Sequence, residues 1–158
     1  MNVTDSIAAP VPVTLNIFVE PDNDGDGDPD ITDPDDDNDD ILDAWEIAHS
    51  LNPLVNDKSD NPDGDEFDNW SEYIADTDPQ DADSGPTIDL GPAPATGEPL
   101  VKFPSSLNRN YTVEYRNDLN TGSWRDLQAT TAGTGSEMSV SDSSTEVHRF
   151  YRLLIELP

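Results

Sequence analysis

The chain has 158 residues, 35 of them acidic against seven basic, for a formal net charge of −28. That length allows one domain or two small ones, and the lack of cysteine excludes a disulfide framework and thiolate–metal chemistry. No basic patch is present to neutralise phosphates, which excludes nucleic acid as a partner, and no apolar run approaches the roughly 18–20 residues that span a bilayer.

Residues 1–20 lack a basic n-region and do not read as a signal peptide. An export signal is expected outside this sequence, with Met1 an added initiator. Within residues 10–20 apolar side chains alternate: Val11, Val13, Leu15, Ile17 and Val19 point one way, and Pro12, Thr14, Asn16 and Phe18 the other. This period of two predicts a strand, and the stretch resembles the last strand of a cadherin-like or immunoglobulin-like repeat. One strand is not stable alone. It is expected to add to a sheet edge, either of this chain or of another copy, as in donor-strand complementation.

Residues 21–84 concentrate the charge. Between residues 22 and 83 lie 24 acidic residues and one base, Lys58, whereas residues 84–158 hold nine acidic and six basic residues. An acidic run is ordinarily a solvated, disordered segment, but here ligand spacing is kept and aromatic residues interrupt the run. Three loops carry oxygen-bearing side chains in the order of a 12-residue calcium loop, with ligands from positions 1, 3, 5, 9 and 12 and a backbone carbonyl at position 7. The first offers Asp22, Asp24, Asp26, Asp28, Asp30 and Asp33. The second offers Asp35, Asp37, Asp39, Ile41 (through its carbonyl), Asp43 and Glu46. The third offers Asn61, Asp63, Asp65, Phe67 (through its carbonyl), Asn69 and Glu72. The loops start at residues 22, 35 and 61, intervals of 13 and twice 13, and a fixed internal period is an architectural signal. Carboxylates this dense repel one another unless a cation neutralises them, so two or more bound calcium ions are expected, with three or more favoured by the loop count. Ala44, Trp45, Ile47, Ala48 and Leu51 predict a short helix after the second loop; Trp70, Tyr73, Ile74 and Ala75 predict another after the third. Trp45, Phe67, Trp70 and Tyr73 would form a small core between them. So small a core needs metal binding to fold.

Residues 85–98 are rich in Pro and Gly and read as a linker or irregular lead-in. Residues 99–158 read as a small antiparallel β-sandwich, with strands at Leu100–Phe103, Tyr111–Arg116, Ser123–Gln128, Glu137–Ser141 and His148–Leu157. Tyr111, Val113 and Tyr115 share one face, as do Tyr151, Leu153, Ile155 and Leu157. The expected fold class is therefore mostly β, with a small calcium-bound, EF-hand-like helical segment.

The words DNDGDGDPD, DDDNDDILDAWE, LNP, PDGDEFDNWSEY and ADTDPQDADS resemble thrombospondin type 3 repeats running into a dockerin-like, EF-hand-like pair. YTVEY, SWRDL and RFYRL resemble the small β-domain that follows such repeats in secreted bacterial proteins. The resemblance implies a secreted or surface multidomain protein. It departs from the EF-hand pattern at position 6, where Asp40 and Glu66 replace the glycine that supplies a positive φ. Asp tolerates that conformation better than Glu, so the second loop is expected to be the better formed.

Catalysis needs positioned acids, bases or nucleophiles. His49 and His148 are the only histidines, and no nucleophile, zinc or phosphate-binding motif occurs. No active site is expected. The leading reading is a calcium-stiffened structural or spacer module, placed outside the cell because calcium loops of extracellular modules have Kd values of about 10⁻⁴–10⁻³ M. The alternatives are a binding module, with carbohydrate on Tyr111, Tyr115, Trp124 or Tyr151 or a cohesin-like protein on the EF-hand-like pair, and a filament subunit assembling through residues 10–20.

Overall fold

The computed structural model describes residues 12, 14–146 and 148–158. Two short helices, α1 (Asp43–Ala48) and α2 (Asn69–Ala75), are followed by six strands: β1 (Asp89–Pro92), β2 (Pro99–Phe103), β3 (Asn110–Arg116), β4 (Arg125–Ala132), β5 (Met138–Ser141) and β6 (Phe150–Glu156). The strands form two antiparallel three-stranded sheets, ordered β1-β2-β5 and β4-β3-β6. The fold is thus mostly strand.

Both sheets feed one core. Val101 and Phe103 on β2, Val140 on β5, and Tyr111 and Val113 on β3 are buried together, and Leu127, Met138, Tyr151, Leu153 and Ile155 pack around them. The alternation read from β3 and β6 appears as cross-strand pairing: Tyr111 opposes Ile155, Val113 opposes Leu153, and Tyr115 opposes Tyr151. Such pairs are the unit of sheet stabilisation. The fourth strand starts later and runs further than its predicted span, because Thr131 and Ala132 continue the ladder opposite Tyr111 and Asn110. The last begins at Phe150 rather than His148.

Two expectations are corrected. Residues 89–92, placed in the linker on their Pro and Gly content, form β1 and pair with β2 from Asp89↔Lys102 to Pro92↔Pro99. An edge strand needs only one ladder, so it tolerates Pro. The strand expected over residues 10–20 does not form at residues 12 and 14–20, the part that is described. Leu15, Ile17, Phe18 and Val19 there are 77–80% exposed. Alternation marks which face a strand would bury, but the strand itself needs a ladder partner for its backbone groups.

α2 is capped at both ends, whereas α1 starts at Leu42 with no side-chain cap. The Asp68 carboxylate accepts the Ser71 amide at 2.9 Å at the start of α2, and Asp76 ends that helix with φ of 60°. α2 then docks on the β region by packing against β6. A cleft between the two is lined by Phe67, Trp70, Ile74, Leu153 and Ile155. Beside it the buried Arg109 side chain donates from Nε to the Ile74 carbonyl at 2.8 Å and from Nη2 to the Tyr73 carbonyl. These carbonyls lie in the last turn of the helix, where a cation is favoured.

One glycine is required by close approach. A Cβ on Gly133 would lie 1.9 Å from the Ser106 carbonyl oxygen and 2.7 Å from the Tyr111 ring, whose hydroxyl accepts the Ser106 amide at 2.7 Å. Gly133→Ala is expected to destabilise the β region by about 1–3 kcal/mol. A thermal melt checks this; an unchanged melting temperature would mean that the Ser106 loop moves freely.

Candidate metal centre

The three acidic loops are built on one local scaffold. In each, the carboxylate at position 3 accepts the amide of position 5, and the carboxylate at position 5 accepts the amide of position 7. Asp24 accepts from Asp26 at 3.0 Å and Asp26 from Asp28 at 2.8 Å. Asp37 accepts from Asp39 at 3.1 Å and Asp39 from Ile41 at 2.9 Å. Asp63 accepts from Asp65 at 3.1 Å and Asp65 from Phe67 at 2.5 Å. These side-chain-to-backbone bonds, which Asp and Asn favour, coil each loop so that its acidic side chains turn inward.

Turning inward brings charges together. One carboxylate oxygen from each of Asp22, Asp24 and Asp26 lies within 4.8 Å of the others, and the same holds for Asp35, Asp37 and Asp39. Each cluster could hold a metal ion. The third loop, with Asn61 in first position, makes no such three-carboxylate group among the described residues. The backbone follows the same division. Position 6 has positive φ in the first loop at Gly27 (106°) and in the second at Asp40 (75°). Glu66 does not; a positive φ at position 4 is instead common to all three loops, at Gly25 (79°), Asn38 (55°) and Gly64 (78°).

Burial separates the loops further. Glu46, Glu72 and Asn69 are 0% exposed, and Asp39 is 2% exposed. Both carboxylate oxygens of Glu46, Oε2 of Glu72, Oδ1 of Asn69, and Oδ2 of Asp37 and of Asp63 are buried with no hydrogen-bond partner. Buried polar atoms are nearly always bonded, and an ionised carboxylate without a partner is among the most costly groups to bury. These orphans stand at positions 3 and 12 of the second loop and 3, 9 and 12 of the third. That is the donor set of a hard, oxygen-seeking cation.

The remaining predicted residues have other partners. Asp30 accepts the Asn23 amide at 2.8 Å, and Asp33 accepts the amide of Asp35, the first residue of the second loop, at 3.1 Å. Neither joins the Asp22, Asp24 and Asp26 cluster. Asp43 accepts the Asp36 amide at 2.9 Å through Oδ1. Asp35 accepts amides from Asp39 and Asp40 at 3.1 and 3.0 Å, and Asn61 accepts the Gly64 amide at 2.6 Å. Asn38 ties the first two loops together by donating to Asp24. Between the helices, Trp45 meets the Tyr73 ring edge-on at 5.3 Å, and Trp70 lies 5.7 Å from it. Three of the four aromatic residues expected to form a small core are thus joined, while Phe67 lines the cleft against β6. His49 stacks on Trp45 with ring centroids 4.0 Å apart.

Three features were not anticipated. Asp36 holds a buried, unpartnered Oδ1 although it falls at position 2 of its loop. Asp57 accepts the Asn69 side-chain amide at 2.9 Å. Arg109 reaches α2 from the β region. None has a local sequence signal, because each depends on which distant segments pack together. The aromatic residues considered for carbohydrate make no exposed row: Tyr111 is buried in the core, and the guanidinium groups of Arg116 and Arg152 lie 5.3 and 4.6 Å from the Trp124 ring centroid. Comparison with protein-family models, with curated proteins and with solved structures finds no match.

Burial, reinforced by neighbouring carboxylates, raises the pKa of Glu46 to about 8, of Glu72 to about 7 and of Asp37 to about 6. In the metal-free chain these groups bind protons more tightly folded than unfolded. Their contribution to stability is therefore full below the ordinary carboxyl range and is lost as pH rises through about 6–8. With chelator, the melting temperature of residues 22–72 should fall between pH 5 and pH 8. With excess calcium it should rise over the same interval, because the cation replaces the protons. Parallel slopes in the two conditions would contradict this account.

Proposed function

We infer that residues 22–72 bind calcium, two or more ions per chain, and that the ions stiffen a non-catalytic structural or spacer module of a secreted or cell-surface protein. The observation that carries this reading is the set of buried, unpartnered oxygens on Asp37, Glu46, Asp63, Asn69 and Glu72, all at ligand positions of a calcium loop. Oxygen-only donors suit calcium or magnesium. Loops of this length, with flexible carboxylate walls and a Glu at the last position, suit the larger ion, which accepts six to eight oxygens. Loops of this kind fill at the calcium levels found outside cells, which favours that location. The likeness to thrombospondin type 3 and dockerin-like repeats agrees with this reading, and the two sheets sharing one core agree with a small β-sandwich. Because α2 carries Glu72 and rests on β6, a filled third loop would hold the acidic region at a fixed angle to the β region. A second reading, self-association, is favoured by the exposed apolar side chains of residues 14–20. Sedimentation of the full chain against a chain lacking residues 1–20 distinguishes the two.

The spacer reading is tested by circular dichroism with and without chelator. Removal of calcium at pH 8, where protons no longer substitute for the cation, should unfold α1, α2 and the loops, since short helices are marginal without tertiary support. An unchanged spectrum and melting point would refute it. Glu46→Ala and Glu72→Ala should each remove one ion in calorimetric titration, because position 12 supplies the bidentate carboxylate. Glu46→Ala should cost more, as Asp40 already holds the turn that its loop needs.

A further inference from the structure

The segment joining the two helices passes between the second and third loops. The Lys58 amide donates to Oδ2 of Asp39, at position 5 of the second loop, at 3.0 Å. One residue earlier, Asp57 accepts the side-chain amide of Asn69 twice, on its carbonyl and on Oδ1, both at 2.9 Å. The segment is pinned from the other side by the Asn69 amide on the Asp60 carbonyl at 2.9 Å and the Trp70 amide on the Lys58 carbonyl at 3.0 Å. Asp57 is therefore held between the carboxylates of one loop and the position-9 residue of the next.

We propose that Asp57, which lies outside all three loops, is a ligand of the calcium ion in the second loop, and that the Asn69 side chain couples this ion to the one in the third. The assignment rests on the calcium reading above. Its carrying observation is a pair of fully buried side chains with atoms left unpartnered: both oxygens of Glu46, and Oδ1 of the Asn69 side chain that bonds Asp57. Asp57 is among the charges that bear on both Glu46 and Asp37. Its Oδ1 is taken by Asn69, which leaves Oδ2 for the cation. The Asn69 amide is then used at both ends. Its Nδ2 orients the Asp57 carboxylate, and its unpartnered Oδ1 would serve the third loop as the position-9 ligand. Filling the third loop fixes Asn69, Asn69 fixes Asp57, and the second loop gains a preformed ligand. Coupling of this kind is reciprocal.

Coulomb attraction alone predicts the opposite sign. An empty third loop leaves the second in more negative surroundings, which should tighten its hold on a cation. Calorimetric titration of the full chain with calcium chloride separates these cases, taking the transition lost in Glu46→Gln as that of the second loop. Asp57→Asn should weaken that transition by about tenfold or more, since loop affinity follows the charge of the ligands. Asp60→Asn removes an exposed carboxylate three residues away and should change it by no more than about twofold, because such charges are screened. Glu72→Gln should weaken the second-loop ion several-fold. Asp57→Asn titrating like Asp60→Asn would overturn the ligand assignment, and a second-loop ion held more tightly or unchanged in Glu72→Gln would overturn the coupling. Circular dichroism at saturating calcium shows whether each variant is folded. If Asp57→Asn does not fold, Asp57→Glu, which keeps the charge on a longer stem, must retain the second-loop transition or the assignment falls. A wild-type chain that takes up no calcium would overturn the calcium reading itself, a result distinct from either of these.

Discussion

Burying a carboxylate oxygen with no donor facing it costs several kcal/mol in a folded protein, and the segment from Asp35 to Glu72 does so repeatedly. Glu46 is the extreme case: it is wholly enclosed, both of its oxygens lack partners, and Asp37, Asp39, Asp43 and Asp57 all press negative charge upon it. Protonation relieves one such group at a time. A divalent cation relieves several at once and adds the ligand bonds. The rest of the acidic region follows from that constraint, because its apolar content is a handful of side chains around Trp45, Tyr73 and the buried Ile41.

From the loops a chain of contacts leads outward. Glu46 lies on α1 and Glu72 on α2, so an ion in either loop fixes the first turns of a helix too short to persist alone. The edge-on meeting of Trp45 and Tyr73 joins the helices. Tyr73 and Ile74 then offer their carbonyls to Arg109, whose own strand neighbours Tyr111 and Val113 lie in the core shared by the two sheets. One path from a bound cation to the sheets would thus run through a buried guanidinium, beside the packing of α2 on β6. Arg suits this place better than Lys, because its planar fork can reach two carbonyls together.

Much of this was legible in the sequence, and the reasons differ by element. Spacing carried the loops: positions 3, 9 and 12 marked Asp37, Asp63, Asn69, Glu46 and Glu72, whose oxygens the fold leaves without partners, but not Asp36, which shares that state from position 2. Side-chain alternation carried β3 and β6, since a period of two fixes a face whatever the partner. Pairing was not legible. β1 was hidden by its Gly and Pro, which an edge position tolerates, and residues 14–20 alternate without any ladder to join. Asp57 and Arg109 escaped notice for a related reason. One sits between loops and the other on a turn before β3, and each acquires its role only when segments far apart in the chain are brought together. Position 6 was half legible: Asp40 takes the left-handed conformation as its chemistry allows, whereas Glu66 in the third loop does not.

The central claim is that cations, more than apolar burial, hold the acidic region together. Native mass spectrometry of the chain, exchanged into a volatile buffer with calcium and then compared after chelation, tests it most directly. The account predicts at least two calcium ions retained per chain, with a shift to higher and broader charge states when they are stripped. A chain that retains no calcium, or one whose charge-state distribution is unchanged on removing it, would contradict the account.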